Sequence, residues 1–215
     1  MSLPKPYYEN ELGRLYHADC LDILPHLEPV DLVLTDPPYG INWIPRVNHR
    51  EQIWIDDKQF DPSPFMKNST LFCFWGANYF AHLLPPSASW MTWVKRPFSS
   101  TVDFSKDPRT YATTELAWCN YGKNRFFVFC WDGGKRQGDK DNRTFCHPSQ
   151  KPIELMVWCI PDNALSVLDP FLGSGTTAVA CERLKRRWIG IEIEEKYCEI
   201  AVKRIEAERK QLKLF

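Results

Sequence analysis

An alternating α/β fold, with a mostly parallel sheet and an antiparallel edge, is the architecture this chain predicts. Three observations carry it. Short β-branched and aromatic runs recur along the chain, helical patterns separate several of them, and one strand-like run opens into a glycine turn that leads directly into a helix. With 215 residues, 44% of them hydrophobic, the chain can bury one sizeable core, so a single domain over 1–215 is expected.

The first strand is predicted over residues 14–18, with Asp19 and Cys20 at its end, followed by a helix-like turn over 21–25 and an apolar strand over 30–35. Residues 40–64 have no clear period and carry Asn42, Trp43, Arg46, Asn48, His49 and Arg50. So long a loop in a compact domain is functional or disordered. Strand signals follow at 70–75, 89–94, 113–118 and 125–129, with a helical pattern over 78–84. The last two strands, joined by residues 120–124, predict a hairpin. A short buried strand over 165–168, a helix over 178–184 and a strand over 188–191 complete the pattern. The final segment sets Tyr197, Ile200, Ala201, Ile205 and Leu212 near one helical face, with its Lys and Arg residues as a solvated face.

Two segments carry chemistry. Asp169-Pro170-Phe171-Leu172-Gly173-Ser174-Gly175-Thr176-Thr177 is the strand, glycine turn and helix start of a nucleotide-type cofactor site. Its glycines permit close backbone approach, Thr176 and Thr177 are expected to cap the helix, and Glu192, ending the next strand, can accept hydrogen bonds from ribose hydroxyls. The same spacing fits a nicotinamide dehydrogenase, whereas the missing Gly-Lys-Ser/Thr excludes a phosphate-binding P-loop. The second segment is Asp36-Pro37-Pro38-Tyr39, at the end of the strand over 30–35. Two prolines make a rigid turn without N–H groups, which would aim the Asp36 carboxylate and the Pro37 carbonyl at a substrate while Tyr39 offers a ring for stacking. An amine conjugated to an aromatic ring is a poor nucleophile and needs such acceptors; the plainer reading is a turn after a buried strand.

Together these residues resemble the beta group of DNA amino-methyltransferases, in which the catalytic Asp-Pro-Pro-Tyr precedes the cofactor glycines. Between the two lies His147-Pro148-Ser149-Gln150-Lys151-Pro152, and further agreement comes from Asp19-Cys20, from Trp90-Met91-Thr92-Trp93-Val94-Lys95 and from Gly190-Ile191-Glu192-Ile193 with Tyr197. The resemblance covers nearly the whole chain. It implies a Rossmann-like, S-adenosylmethionine-dependent methyltransferase fold with a seven-stranded sheet in circularly permuted order, and methylation of adenine N6 in DNA. By the same resemblance Asp36, Pro37, Pro38 and Tyr39 are catalytic, and the loop near 40–64 is a mobile segment beside the target base. Asp19, Cys20, Lys151, Asp169, Phe171, Gly173, Gly175, Thr176, Thr177 and Glu192 bind the cofactor, with Asp19 and Cys20 near its adenine and Lys151 at its carboxylate. The short polar insert near 131–146 stands where the family reads its target; Lys135, Arg136, Lys140 and Arg143 are the DNA-contact candidates, and so short an insert implies relaxed specificity or reading shared across a homodimer. A cognate restriction endonuclease is the implied partner.

The 27 basic and 27 acidic residues cancel, so there is no global pull toward nucleic acid; locally, residues 1–62 hold five Lys/Arg against eleven Asp/Glu, and residues 95–151 hold eleven against six. A polyanion is therefore expected along the second stretch. Eight cysteines without a C-x-x-C pair read as buried reduced thiols, a grouping of Cys130, Cys146 and His147 lacks a fourth ligand for a metal, and no run is long enough for a membrane span, so a cytoplasmic setting is expected. Three alternatives stay open: N4-cytosine methylation by the same chemistry, modification of a glutamine side chain or of RNA, and, from another class, a nicotinamide-dependent oxidoreductase, which leaves Asp-Pro-Pro-Tyr unexplained. Trp43, Trp90 and Trp93 are candidates for stacking on bases, or core.

Overall fold

The computed structural model describes residues 3–41, 58–67, 69–95, 113–130 and 150–212. Among the described residues nine strands form one sheet: β1 (Tyr8–Glu9), β2 (Gly13–His17), β3 (Val30–Thr35), β4 (Ser69–Trp75), β5 (Ser89–Val94), β6 (Thr114–Cys119), β7 (Arg125–Val128), β8 (Ser166–Asp169) and β9 (Arg187–Glu192), in the spatial order β1-β2-β9-β8-β3-β4-β6-β5-β7. All but β1 and β6 run in one direction, so the sheet is mostly parallel. Relative to the seven strands implied by resemblance, the two added members, β1 and β7, lie at the edges.

The antiparallel region is where the sequence places it, but its pairing differs from the predicted hairpin. β6 pairs antiparallel with both β4 and β5, and β7 passes beyond β5 to pair with it in parallel. The connection from β6 to β7 crosses the start of β5 and is tied there: Trp90 N donates to Asn124 Oδ1 (2.7 Å) and Ser89 Oγ to the Tyr121 carbonyl (2.6 Å). Turn composition is blind to a third strand lying between the two it joins, so it cannot register this order.

Side chains alternate between two cores. Leu32, Leu34, Cys73 and Trp75 point to the face covered by α2 (Ile153–Cys159), α3 (Thr176–Leu184) and α4 (Glu195–Leu212), while Val33, Phe72 and Phe74 point to a face holding Ile23, Phe60, Phe65 and Phe80. That alternation, with both faces apolar, is why the central strands read as continuous hydrophobic runs. The second face is helix-poor. It carries α1 (Cys20–Ile23) and 3-10 turns, and the helical pattern at 78–84 becomes two such turns, Ala77–Tyr79 and Ala81–Leu83, separated by Phe80, whose φ of −133° interrupts the helix. Residues 42–57 of the predicted mobile loop lie outside the described residues, but its end is core, with Phe60 against Phe65, Phe74, Phe80 and Phe171. Among the described residues, no helix is long and apolar enough to cross a membrane. Six of the seven described cysteines are buried free thiols, and the seventh, Cys130, is half-buried. Cys146 and His147 lie outside the described residues.

Asp31 pins β3 to the start of β8. Its Oδ2 accepts from Leu165 N (2.9 Å), Ser166 N (2.8 Å) and Ser166 Oγ (2.8 Å), bonds that hold its carboxyl below the usual range, with Ser166 as the main cause. Replacing it by Ala should lower the unfolding free energy by about 1–2 kcal/mol at neutral pH. Because the folded value is depressed, this contribution is present above the ordinary Asp pKa and is lost as pH falls through the lower folded one. Urea denaturation should therefore separate Asp31→Ala from the parent at pH 7 and bring them together near pH 2; a gap that persists in acid would mean the bonds are not those of the carboxylate.

Candidate functional site

The two segments singled out in the sequence leave the sheet side by side. β3 and β8 are adjacent and parallel, paired at Leu32–Val167 and Val33–Leu168. From β8 the sheet continues to β9 on one side, and from β3 to β4 on the other. Their carboxyl ends thus flank the point where strand order reverses, the place where open α/β sheets form a ligand crevice. Thr35 Oγ1, buried at the end of β3, donates to Asp169 Oδ1 (2.7 Å), as does Phe171 N (3.1 Å), and Thr177 bonds the same carboxylate. Burial pushes the Asp169 carboxyl up to about 6 against these bonds.

On the β3 side, both Asp36 oxygens meet donors of the protein. Tyr39 Oη donates to Oδ1 and the Lys151 ammonium to Oδ2. Lys151 is only 5% exposed and stands 3.2 Å from Glu115 Oε2 as well, while Glu115 Oε1 accepts from Lys95. The result is a row of alternating charge, Asp36, Lys151, Glu115, Lys95, running from the end of β3 across β6 to the end of β5. Burial pushes Asp36 up, with Lys151 opposing and Glu115 adding. Burial would lower Lys151, but the two carboxylates outweigh it and hold the ammonium protonated. For Glu115, burial is outweighed by Lys151 and Lys95, which keep it ionised.

Tyr39 stacks on Tyr79, ring centroids 5.1 Å apart, so one face of the ring offered for base stacking is covered within the protein. Gly76 makes this possible. It sits after β4 at φ +68°, and a Cβ there would lie 1.9 Å from Tyr39 Cε1.

On the β8 side, Glu192 closes the glycine turn. Its Oε2 accepts from Gly173 N (2.8 Å) and its Oε1 from Glu194 N (2.8 Å), while burial pushes its carboxyl up. Each oxygen retains a second lone pair for a hydroxyl donor. Thr176 and Thr177 do not cap α3. The cap position belongs to Gly175 at φ +86°, whose missing Cβ lets Ala201 of α4 approach, and both threonines lie in the first turn. Arg204 of α4 is not part of a solvated face: its Nη1 donates to Ser174 O (2.5 Å), Ser174 Oγ (2.8 Å) and Thr176 Oγ1 (3.2 Å), which fixes the turn from behind. Asp19 is the N-cap of α1, accepting from Leu21 N (2.9 Å), and burial pushes the neighbouring Cys20 thiol up to about 12.

The donor set suits a ribose-bearing, positively charged ligand. Beside the glycine turn lie the buried carboxylates of Asp169 and Glu192, and Phe171 packs on the core rings of Phe60 and Phe65. Lys151, also expected at the cofactor, is paired with Asp36 and Glu115. Trp93 is core, its indole donating to the Phe129 carbonyl (3.0 Å), and Trp90 is half-buried against the second core. Trp43, the segment 147–149 and the DNA-binding candidates Lys135, Arg136, Lys140 and Arg143 lie outside the described residues. Sequence reasoning did not single out Glu115, Gly76, Tyr79 or Arg204, and it quoted Lys95 only as the end of a motif. Only Glu115 carried a signal, as a lone acid in an otherwise uncharged strand.

Residues 48–203 match the N6/N4 methyltransferase family described as DNA methylase. The chain is 30% identical to the Type II methyltransferase M.ScaI of Streptomyces caespitosus over 98% of its length and 87% of that protein, and 29% identical to M2.DpnII of Streptococcus pneumoniae over 96% and 94%. The solved M1.HpyAVI–SAM complex superposes with a TM-score of 0.57 at 27% identity, covering 90% of this chain and 100% of that one. The cytosine-N4-specific PvuII DNA methyltransferase, at 16% identity and a TM-score of 0.64 over 93% and 88%, shares the fold.

Gly76→Ala should cost about 1–3 kcal/mol of stability, since the left-handed backbone and the Tyr39 ring both oppose a side chain. Thermal and urea unfolding check this. A variant as stable as the parent would show that the ring can move aside without penalty.

Proposed function

The chain belongs to this DNA methylase family, and we propose that it transfers a methyl group from S-adenosylmethionine to the N6 amine of adenine in DNA. The observation that carries the reading is the juxtaposition of Asp36, beside its double proline, with the glycine turn after β8 across one strand boundary. An acid at position 36 supports adenine; N4 of cytosine is the alternative target of the same chemistry.

When bound, the donor supplies a methyl group made electrophilic by a sulfonium charge. In this reading Gly173, Gly175 and Phe171 shape its turn, Glu192 accepts from its ribose hydroxyls, Thr176 and Thr177 line the first turn of the helix beside it, and Asp19 with Cys20 lies toward its adenine. Asp169 orders the turn through Thr35 and Phe171 N. Asp36 and the Pro37 carbonyl accept hydrogen bonds from the target amine, drawing its nitrogen toward tetrahedral geometry; the N–C bond forms as the donor's C–S bond breaks to leave a neutral thioether, and the Asp36 carboxylate takes up the proton that becomes acidic on the amine. Pro38 holds the turn rigid and Tyr39 flanks the base. Most of the acceleration comes from alignment and from acceptors already in place. A base in a duplex must be flipped out to reach them. The insert near 131–146 binds phosphates through Lys135, Arg136, Lys140 and Arg143, with specificity relaxed or shared across a homodimer, and a cognate endonuclease is the natural partner of a Type II enzyme.

Incubation with labelled donor and unmethylated genomic DNA, followed by nucleoside mass spectrometry, should yield N6-methyladenine. N4-methylcytosine instead would transfer the proposal to the alternative target. Asp36→Ala should abolish transfer while donor affinity, measured by calorimetry, stays within about threefold, since its carboxylate faces the amine; near-normal turnover would remove Asp36 from the reaction. Arg136→Ala combined with Lys140→Ala should weaken binding alike on all sequences and reduce the slope of log affinity against log salt by about 0.9 for each phosphate left unneutralised. A change in the methylated sequence at constant slope would make this segment a base reader.

A further inference from the structure

Lys151 is a single buried cation shared by two carboxylates. Asp36 Oδ2 accepts from it directly, Glu115 Oε2 lies 3.2 Å away, and Glu115 is itself paired with Lys95 toward the end of β5. Were Lys151 paired with Asp36 alone, the ammonium would cancel the negative charge on the oxygen that has to accept from a substrate amine. A second carboxylate on the same ammonium divides its pull between two acceptors and, with Lys95 pairing the far side of Glu115, holds Lys151 at a fixed point between its partners. We propose that Glu115 is a positioning residue for Asp36, acting through the ammonium of Lys151 to keep the Asp36 carboxylate oriented and acceptor-competent; this rests on the methyl-transfer reading above.

The groups that face Asp36 are the Tyr39 hydroxyl from its own turn, Lys151 from the segment before α2, Glu115 from β6 and Asp169 from the end of β8, with Lys95 beyond Glu115. Among them the charges of Glu115 and Lys151 act on Asp36 in opposite senses, the first raising its pKa and the second lowering it. Their removal should therefore move Asp36 in opposite directions, which disrupted packing alone would not do.

The test is the pH dependence of single-turnover methyl transfer, alongside a 13C NMR titration of the Asp36 carboxyl in aspartate-labelled protein, its signal assigned with Asp36→Asn. Glu115→Gln, close to isosteric, should lower the transfer rate about tenfold at neutral pH with donor KM little changed, and move the acid limb and the NMR midpoint down by about one pH unit. Lys151→Met should move both up. Glu115→Asp, which keeps the charge, should retain the parent's midpoint and recover part of the rate. Shifts in the same direction for Glu115→Gln and Lys151→Met, or no shift in either, would overturn the proposal. A parent protein that transfers no methyl to DNA would remove the reaction reading alone, because the NMR midpoints still decide whether Glu115 governs the charge on Asp36.

Discussion

The pairing of β3 with β8 is the constraint on which the site depends. These strands are separated by more than a hundred residues of chain, yet each ends in one of the two turns that carry chemistry. Side chains bridge them at both ends. Asp31 gathers the backbone and hydroxyl donors of Leu165 and Ser166 where the strands begin, and Thr35 donates to Asp169 where they finish. A slip by one residue would turn every side chain of β3 to the other face and break both bridges, so register and site geometry are one requirement.

Around that pair, the polar groups are held by donors and acceptors drawn from distant segments. Arg204 reaches the glycine turn from α4, Glu192 closes it from β9, and Glu115 meets Lys151 from β6. The buried charges at the end of β3 are not there for stability. Pulling them out of water costs about as much as their mutual attraction returns, whereas deleting one partner leaves an uncompensated charge. Charges so little exposed act on one another far more strongly than surface charges, which water screens.

Omission shapes this site as much as packing does. Gly76 and Gly175 each stand where a neighbouring side chain, Tyr39 in one case and Ala201 in the other, occupies the room a Cβ would need. The two close approaches set Tyr39 beside Asp36 and α4 behind the glycine turn, which ties both turns to the packing of the whole domain.

The strand runs, the glycine turn and Asp36 with its prolines were legible in the chain because each depends on local properties: alternation or continuity of apolar residues, backbone freedom and ring constraint. Positions of β3, β8 and β9 agree with their sequence signals to within a residue or two. What pairs with what was not legible. The chain places residues 113–118 and 125–129 as a hairpin, and tertiary structure sets β5 between them; nothing in the chain announces that Lys151 stands between Asp36 and Glu115. Local composition determines which segments become strands and which turns stay rigid. Strand order and the partners of a buried charge are decided only when segments far apart in sequence meet, because the free energy of a buried ion depends on everything within a few ångströms of it and on almost nothing within a few residues.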